Sequence, residues 1–129
     1  MTKVLIATDA DEVFDEVDAA LGDDSTTIEH VRAGRAVRDA ILRIEPDLVI
    51  LDLQIGNMGG AATCIDIRLE EGAERMPEQT VLLLLDRDAD EFLAKHSGAD
   101  RWIVKPLNAL QLRRAATALL AGAPAAALP

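Results

Sequence analysis

Hydrophobic and polar positions alternate along this chain in two ways. Short, nearly continuous apolar runs cover 3–8, 26–31, 47–52, 80–85 and 101–104, most with β-branched residues. Runs of that length predict strands, and their density predicts burial on both faces. The segments between them have helical spacing. Asp11 is placed to cap a helix whose stripe is Phe14, Val17, Ala20 and Leu21 and which Gly22 closes. Segment 33–44 sets Val37, Ile41 and Ile44 on one face and stops before Glu45–Pro46, because proline disfavours helical geometry in the residue ahead of it. Segment 61–70 carries Ile65 and Leu69, with a second row through Ala62, and Gly72 ends it. The short segment 88–96 offers Phe92 and Leu93 as its apolar contacts. Asn108 caps a last helix with Leu112, Ala115, Ala116 and Leu119 facing inward. One domain over 1–121 is therefore expected, with 122–129 an Ala/Pro-rich flexible tail.

Five strand–helix alternations predict an α/β fold, a doubly wound five-stranded parallel sheet with helices on both faces. The order 2-1-3-4-5 is favoured, and in it ligands bind at the carboxyl edge between strands 1 and 3. Asp9 and Asp52 end those two strands, and Lys105 ends the fifth. Two carboxylates brought close together repel one another and invite a hard divalent cation. Magnesium suits them, taking one or two carboxylates and a backbone carbonyl from the loop after strand 3 while keeping several waters. A carboxylate oxygen is also a nucleophile toward a phosphodonor, and a nearby lysine can pair with the charge that arrives. Asp52 is best placed for the attack. A cis peptide at Lys105–Pro106 would aim the ammonium back over the sheet edge.

Composition narrows the partners. The 129 residues are 50% hydrophobic, enough for one core, and carry a net charge of -10 that disfavours nucleic acid and anionic membranes. The chain has one cysteine, Cys64, so no internal disulfide can form, and no apolar run approaches membrane-spanning length. A cytoplasmic protein is expected. His30 and His96 lack ligand-spaced neighbours and predict no metal site, while no P-loop or dinucleotide fingerprint is present.

The phrase P46-D-L-V-I-L-D-L-Q, the turn ending in Gly59-Gly60, the G98-A-D segment and the K105-P-L ending together resemble the receiver domain of two-component response regulators, over roughly residues 3 to 121. The resemblance implies the flavodoxin-like (βα)5 fold. It also implies that Asp52 accepts a phosphoryl group from a histidine kinase or phosphotransfer protein. Asp9, Asp52 and the backbone carbonyl of Gln54 would hold Mg2+, and Lys105 would contact the phosphoryl group.

Departures from the family pattern accompany the likeness. Thr8 stands where receivers carry a second acid beside Asp9, so metal affinity should fall. The loop I55-G-N-M-G-G supplies glycines where a proline and an acid are usual, and it is expected to be floppier. The fourth strand ends V81-L-L-L-L-D, which puts Leu85, or with a one-residue slip Asp86, at the switch position that normally holds a hydroxyl. Leucine cannot donate the switch hydrogen bond, and a carboxylate there would repel phosphate. Trp102 takes the place of the aromatic partner in that switch.

Two functional readings follow. In the first, the chain is a stand-alone response regulator that signals to a downstream protein through the helix 4, strand 5, helix 5 face and turns over no small molecule. In the second, it is a phosphorylation-independent pseudo-receiver interaction module. Asp9, Asp52 and Lys105 favour the first reading; Thr8 and Leu85 favour the second. A homodimer through the last helix would need a long exposed apolar stripe, and none is evident.

Overall fold

The computed structural model describes residues 1–122, so all but the first residue of the expected tail lies outside the described residues. Five parallel strands, β1 (Thr2–Ala7), β2 (Thr26–Val31), β3 (Leu48–Asp52), β4 (Val81–Leu85) and β5 (Arg101–Val104), pair in the order β2-β1-β3-β4-β5. Helices α1 (Asp11–Leu21), α2 (Val37–Ile44), α3 (Gly60–Gly72), α4 (Glu91–Ser97) and α5 (Ala109–Leu120) link and follow them. The sheet order is the one the alternating pattern predicts.

Side chains alternate across a strand, so each central strand feeds two cores. Leu5, Val49, Leu51, Val81, Leu83 and Leu85 pack with Val37, Ile41, Cys64, Ile67 and Ala94 from α2, α3 and α4. Val4, Ile6, Leu48, Ile50, Leu82, Leu84 and Ile103 pack with Val17, Leu112, Ala116 and Leu119 from α1 and α5. Every residue of β3 and β4 is buried, whereas β2, at the sheet edge, is half exposed.

Several local expectations are corrected. Asp11 does not cap α1: Ala10 occupies the cap without a side-chain bond, and Asp11 instead reaches Arg32 at 2.6 Å. Helix α2 is preceded by a 3-10 turn, Gly34–Ala36. Helix α3 runs through Gly72 and buries Thr63, Cys64, Ile67 and Glu70, leaving Ile65 and Leu69 exposed. Helix α4 buries Ala94 and Ser97, while Phe92 and Leu93 face outward. Apart from Ile67, the inward rows of both helices are built of small or polar side chains. Asn108 does cap α5, accepting from the Gln111 amide at 3.0 Å.

Candidate functional site at the carboxyl edge of the sheet

Strands β1 and β3 lie side by side, with Ala7 opposite Leu51, so the residues that follow them emerge together. Asp52, the last residue of β3, is only 2% exposed. Both of its oxygens are engaged. Lys105 Nζ sits 2.6 Å from Oδ1, which also accepts from the Gln54 amide at 3.1 Å, and the Thr8 hydroxyl donates to Oδ2 at 2.7 Å. Thr8 is fully buried, and its Oγ1 also accepts from the Ala10 amide at 3.1 Å. A neutral donor thus meets the Asp52 carboxylate where the family pattern carries a second acid.

His30 adds a support that sequence reasoning missed. Its Nε2 lies 2.8 Å from the Thr8 carbonyl, which can only accept, so that nitrogen carries the proton. The ring stacks on Phe14 with centroids 4.4 Å apart. The pairing of β1 with β2 sets His30 beside Ile6, close to the strand end, and that register was the available signal.

Asp9 is exposed and accepts from the Gly56 amide at 3.0 Å. It thereby ties the end of β1 to the loop after Asp52. Further hydrogen bonds tie that loop to its surroundings. Gly34 and Arg35 donate backbone N–H groups to the Gly56 and Asn57 carbonyls at 3.2 and 3.0 Å, and Thr63 Oγ1 donates to the Met58 carbonyl at 3.1 Å. Asn57 and Met58 are held at φ of 52° and 86°. The clamp depends on Gly34, because a Cβ there would lie 1.9 Å from the Met58 carbonyl oxygen. Gly34→Ala must displace that loop, and by analogy with overpacked cores it should cost about 1–3 kcal/mol in urea unfolding. A midpoint equal to that of the parent chain would show that the clamp yields freely.

Lys105 follows β5 at a cis peptide with Pro106. Its ammonium is shared: besides Asp52 it meets Asp86 Oδ1 at 3.1 Å. Burial alone would lower its pKa, but the hydrogen bonds and charges of Asp52 and then Asp86 outweigh burial and raise it. Lysine 105 therefore stays charged through the neutral range. Leu85 is fully buried in the core facing α3 and α4, and Asp86 is the residue that turns toward the lysine. No hydroxyl stands at the end of β4. Trp102 packs partly buried against the same core, with Lys95 Nζ 6.0 Å from its ring centroid.

Asp9 and Asp52 are the carboxylates that would serve a cation at this edge. Asp52 has about one of its roughly four lone-pair sites left after three hydrogen bonds, and Asp9 has spent one oxygen on Gly56. No group of three or more His, Cys, Asp or Glu side chains is gathered for a metal among the described residues. The donor set fits Mg2+, which accepts one or two carboxylates among waters, but with less charge than a three-acid cluster would offer.

The family model of the response regulator receiver domain matches residues 4–117. This chain belongs to that family. The response regulator ArlR of Staphylococcus haemolyticus is 28% identical to it over 115 residues, covering 87% of this chain and 49% of the relative. Regulatory protein VanR of Enterococcus faecium is 28% identical over 111 residues, covering 85% and 46%. The chain thus spans about half the length of these curated relatives. Among solved structures, the signal receiver domain of a signal transduction histidine kinase from Syntrophus aciditrophicus superposes with a TM-score of 0.81 at 27% identity, covering 95% of this chain and 92% of that one. As a receiver domain, the chain is a signalling module of two-component systems. No described helix is long and apolar enough to cross a membrane.

Proposed function

We propose that this receiver accepts a phosphoryl group on Asp52 from a phosphohistidine of a histidine kinase or phosphotransfer protein. The supporting observation is the buried Asp52 carboxylate at the sheet edge with the Lys105 ammonium 2.6 Å away. An Asp52 oxygen forms the bond to phosphorus as the donor's N–P bond breaks, and the freed imidazole leaves with its electron pair and takes a proton from water. Lys105 pairs with the phosphoryl oxygens. Thr8 and the Gln54 amide hold the carboxylate in place. Asp9, Asp52 and the backbone carbonyl of Gln54 would hold Mg2+, which when bound neutralises charge on the transferring group.

The phosphorylated form would act in the cytoplasm by altering contacts with a downstream protein on the face made by α4, β5 and α5, without turnover of a small molecule. Leu85 brings no hydroxyl to the site, so the signal cannot travel by the hydroxyl movement usual in the family.

Amide NMR with magnesium and then beryllofluoride, a phosphoryl mimic, tests this reading. Saturable shifts at Asp9, Gln54 and Lys105 are expected, and unchanged spectra at millimolar magnesium with the mimic would refute phosphoacceptance. The same titration on Thr8→Asp should show magnesium binding at least about tenfold tighter, since a third carboxylate beside Asp52 adds negative charge to the site. Equal affinity in the two proteins would remove Thr8 as the cause of a weak site.

A further inference from the structure

Asp86 has no part in the chemistry above, yet it shares the ammonium that the chemistry needs. Its Oδ1 lies 3.1 Å from Lys105 Nζ, on the nitrogen that Asp52 approaches at 2.6 Å. Its Oδ2 is buried without a hydrogen-bond partner among the described residues. A carboxylate oxygen left dry and unpaired is costly, so the geometry holding it there must be supplied by its neighbours. Leu85, fully buried just before it, fixes the backbone, and the Lys105 amide donates to the Leu85 carbonyl at 2.8 Å. The next turn is fixed too: Asp90 accepts from the Arg87 amide and guanidinium at 3.1 and 2.9 Å. Asp86 is therefore held between two tied segments with its charge directed at Lys105.

We propose that Asp86 is a built-in competitor of the phosphoryl group, a positioning residue that occupies Lys105 and thereby slows phosphoryl acceptance on Asp52. The inference rests on the phosphoacceptor reading. A phosphoryl oxygen arriving at Asp52 must draw the ammonium away from a carboxylate already in contact with it, and it must approach a fixed negative charge one lysine away. Both effects oppose an anionic donor and leave the fold untouched. Neutralising the side chain removes both, whereas keeping its charge keeps both. The competition is electrostatic, so it weakens as salt screens the partly exposed pair.

The test compares the parent chain with Asp86→Asn, Asp86→Ser and Asp86→Glu in magnesium, measuring labelling rate with acetyl phosphate and affinity for beryllofluoride at low and high ionic strength. Both neutral variants should label and bind about fivefold better at low salt, the advantage shrinking at high salt, with Asp86→Glu close to the parent. Amide spectra establish that each variant is folded, and either neutral variant suffices if the other is not. Parent-like or slower labelling in a folded neutral variant overturns the competitor role and leaves phosphoacceptance standing. Equal gains for Asp86→Glu and the neutral variants also overturn it, since the effect would then be one of shape. If neither the parent nor any variant labels or binds the mimic, the phosphoacceptor reading falls and this inference falls with it.

Discussion

Asp52→Asn should abolish labelling by acetyl phosphate while leaving a folded receiver. The two halves of that expectation have separate causes. Loss of labelling follows from chemistry, because an amide oxygen is a far poorer nucleophile toward phosphorus than a carboxylate and would not yield the acyl phosphate. Retention of the fold follows from the hydrogen bonds. The Asn oxygen can take the place of Oδ1 before Lys105 and the Gln54 amide. Its NH2 group then faces the Thr8 hydroxyl, which can turn to accept where it formerly donated. The lost charge leaves Lys105 with Asp86 as its remaining carboxylate, at a cost of about 1–3 kcal/mol. Intact-mass measurement reads the adduct and urea unfolding reads the fold. A phosphoryl adduct that persists on the variant would move the acceptor elsewhere, with Asp9 and Asp86, at the same sheet edge, as the carboxylates to examine.

What the sequence made legible was decided by burial on both faces. The apolar runs of β1, β3 and β4 have no polar alternation, as a strand inside a parallel sheet covered on both faces requires. Once the order was set, Asp52 and Lys105 had to emerge at one edge. Helices α3 and α4 were misread for the opposite reason. Apart from Ile67, their inward rows hold Thr63, Cys64, Glu70, Ala94 and Ser97, so the more numerous large apolar residues Ile65, Leu69 and Phe92 mark the wrong face. Glu70 is tolerated inside because Arg75 and Arg38 meet its carboxylate at 2.8 and 3.3 Å. The hydrogen bonds on the loop after Asp52 were not legible, because a glycine-rich sequence speaks only of freedom. At Gly34 the absent side chain admits another backbone, that of Met58 in the loop after Asp52. Asp86 stayed ambiguous because a run of leucines does not say where β4 stops. The structure ends β4 at Leu85, whose carbonyl accepts from the Lys105 amide.

Arg68→Ala should lower stability by about 2–4 kcal/mol, a loss expected from removing the charged partner of several partly buried acceptors at once. The guanidinium donates to the Gly98 carbonyl at 2.9 Å, the Gln79 carbonyl at 2.8 Å, Glu71 at 2.9 Å and Asp100 at 2.9 Å. Those carboxylates in turn accept backbone amides, Glu71 from Gln79 at 2.6 Å and Asp100 from Val81 at 2.7 Å. One side chain on α3 therefore ties the start of β4, the end of α4 and the approach to β5. Asp100 is partly in water, which keeps its share of the loss below that of a dry pair. Lysine cannot replace the arginine, since a single ammonium cannot span the four directions that the planar fork reaches, so Arg68→Lys should recover less than half of the loss. The midpoint of urea unfolding checks both variants, and a change under about 0.5 kcal/mol in Arg68→Ala would mean that water replaces the network at no cost. The network stands at the amino edge of β4 and β5, whereas Asp52 and Lys105 stand at the carboxyl edge. Phosphoryl acceptance per folded molecule should consequently match the parent chain, which separates a residue that holds the receiver together from those that give it its chemistry.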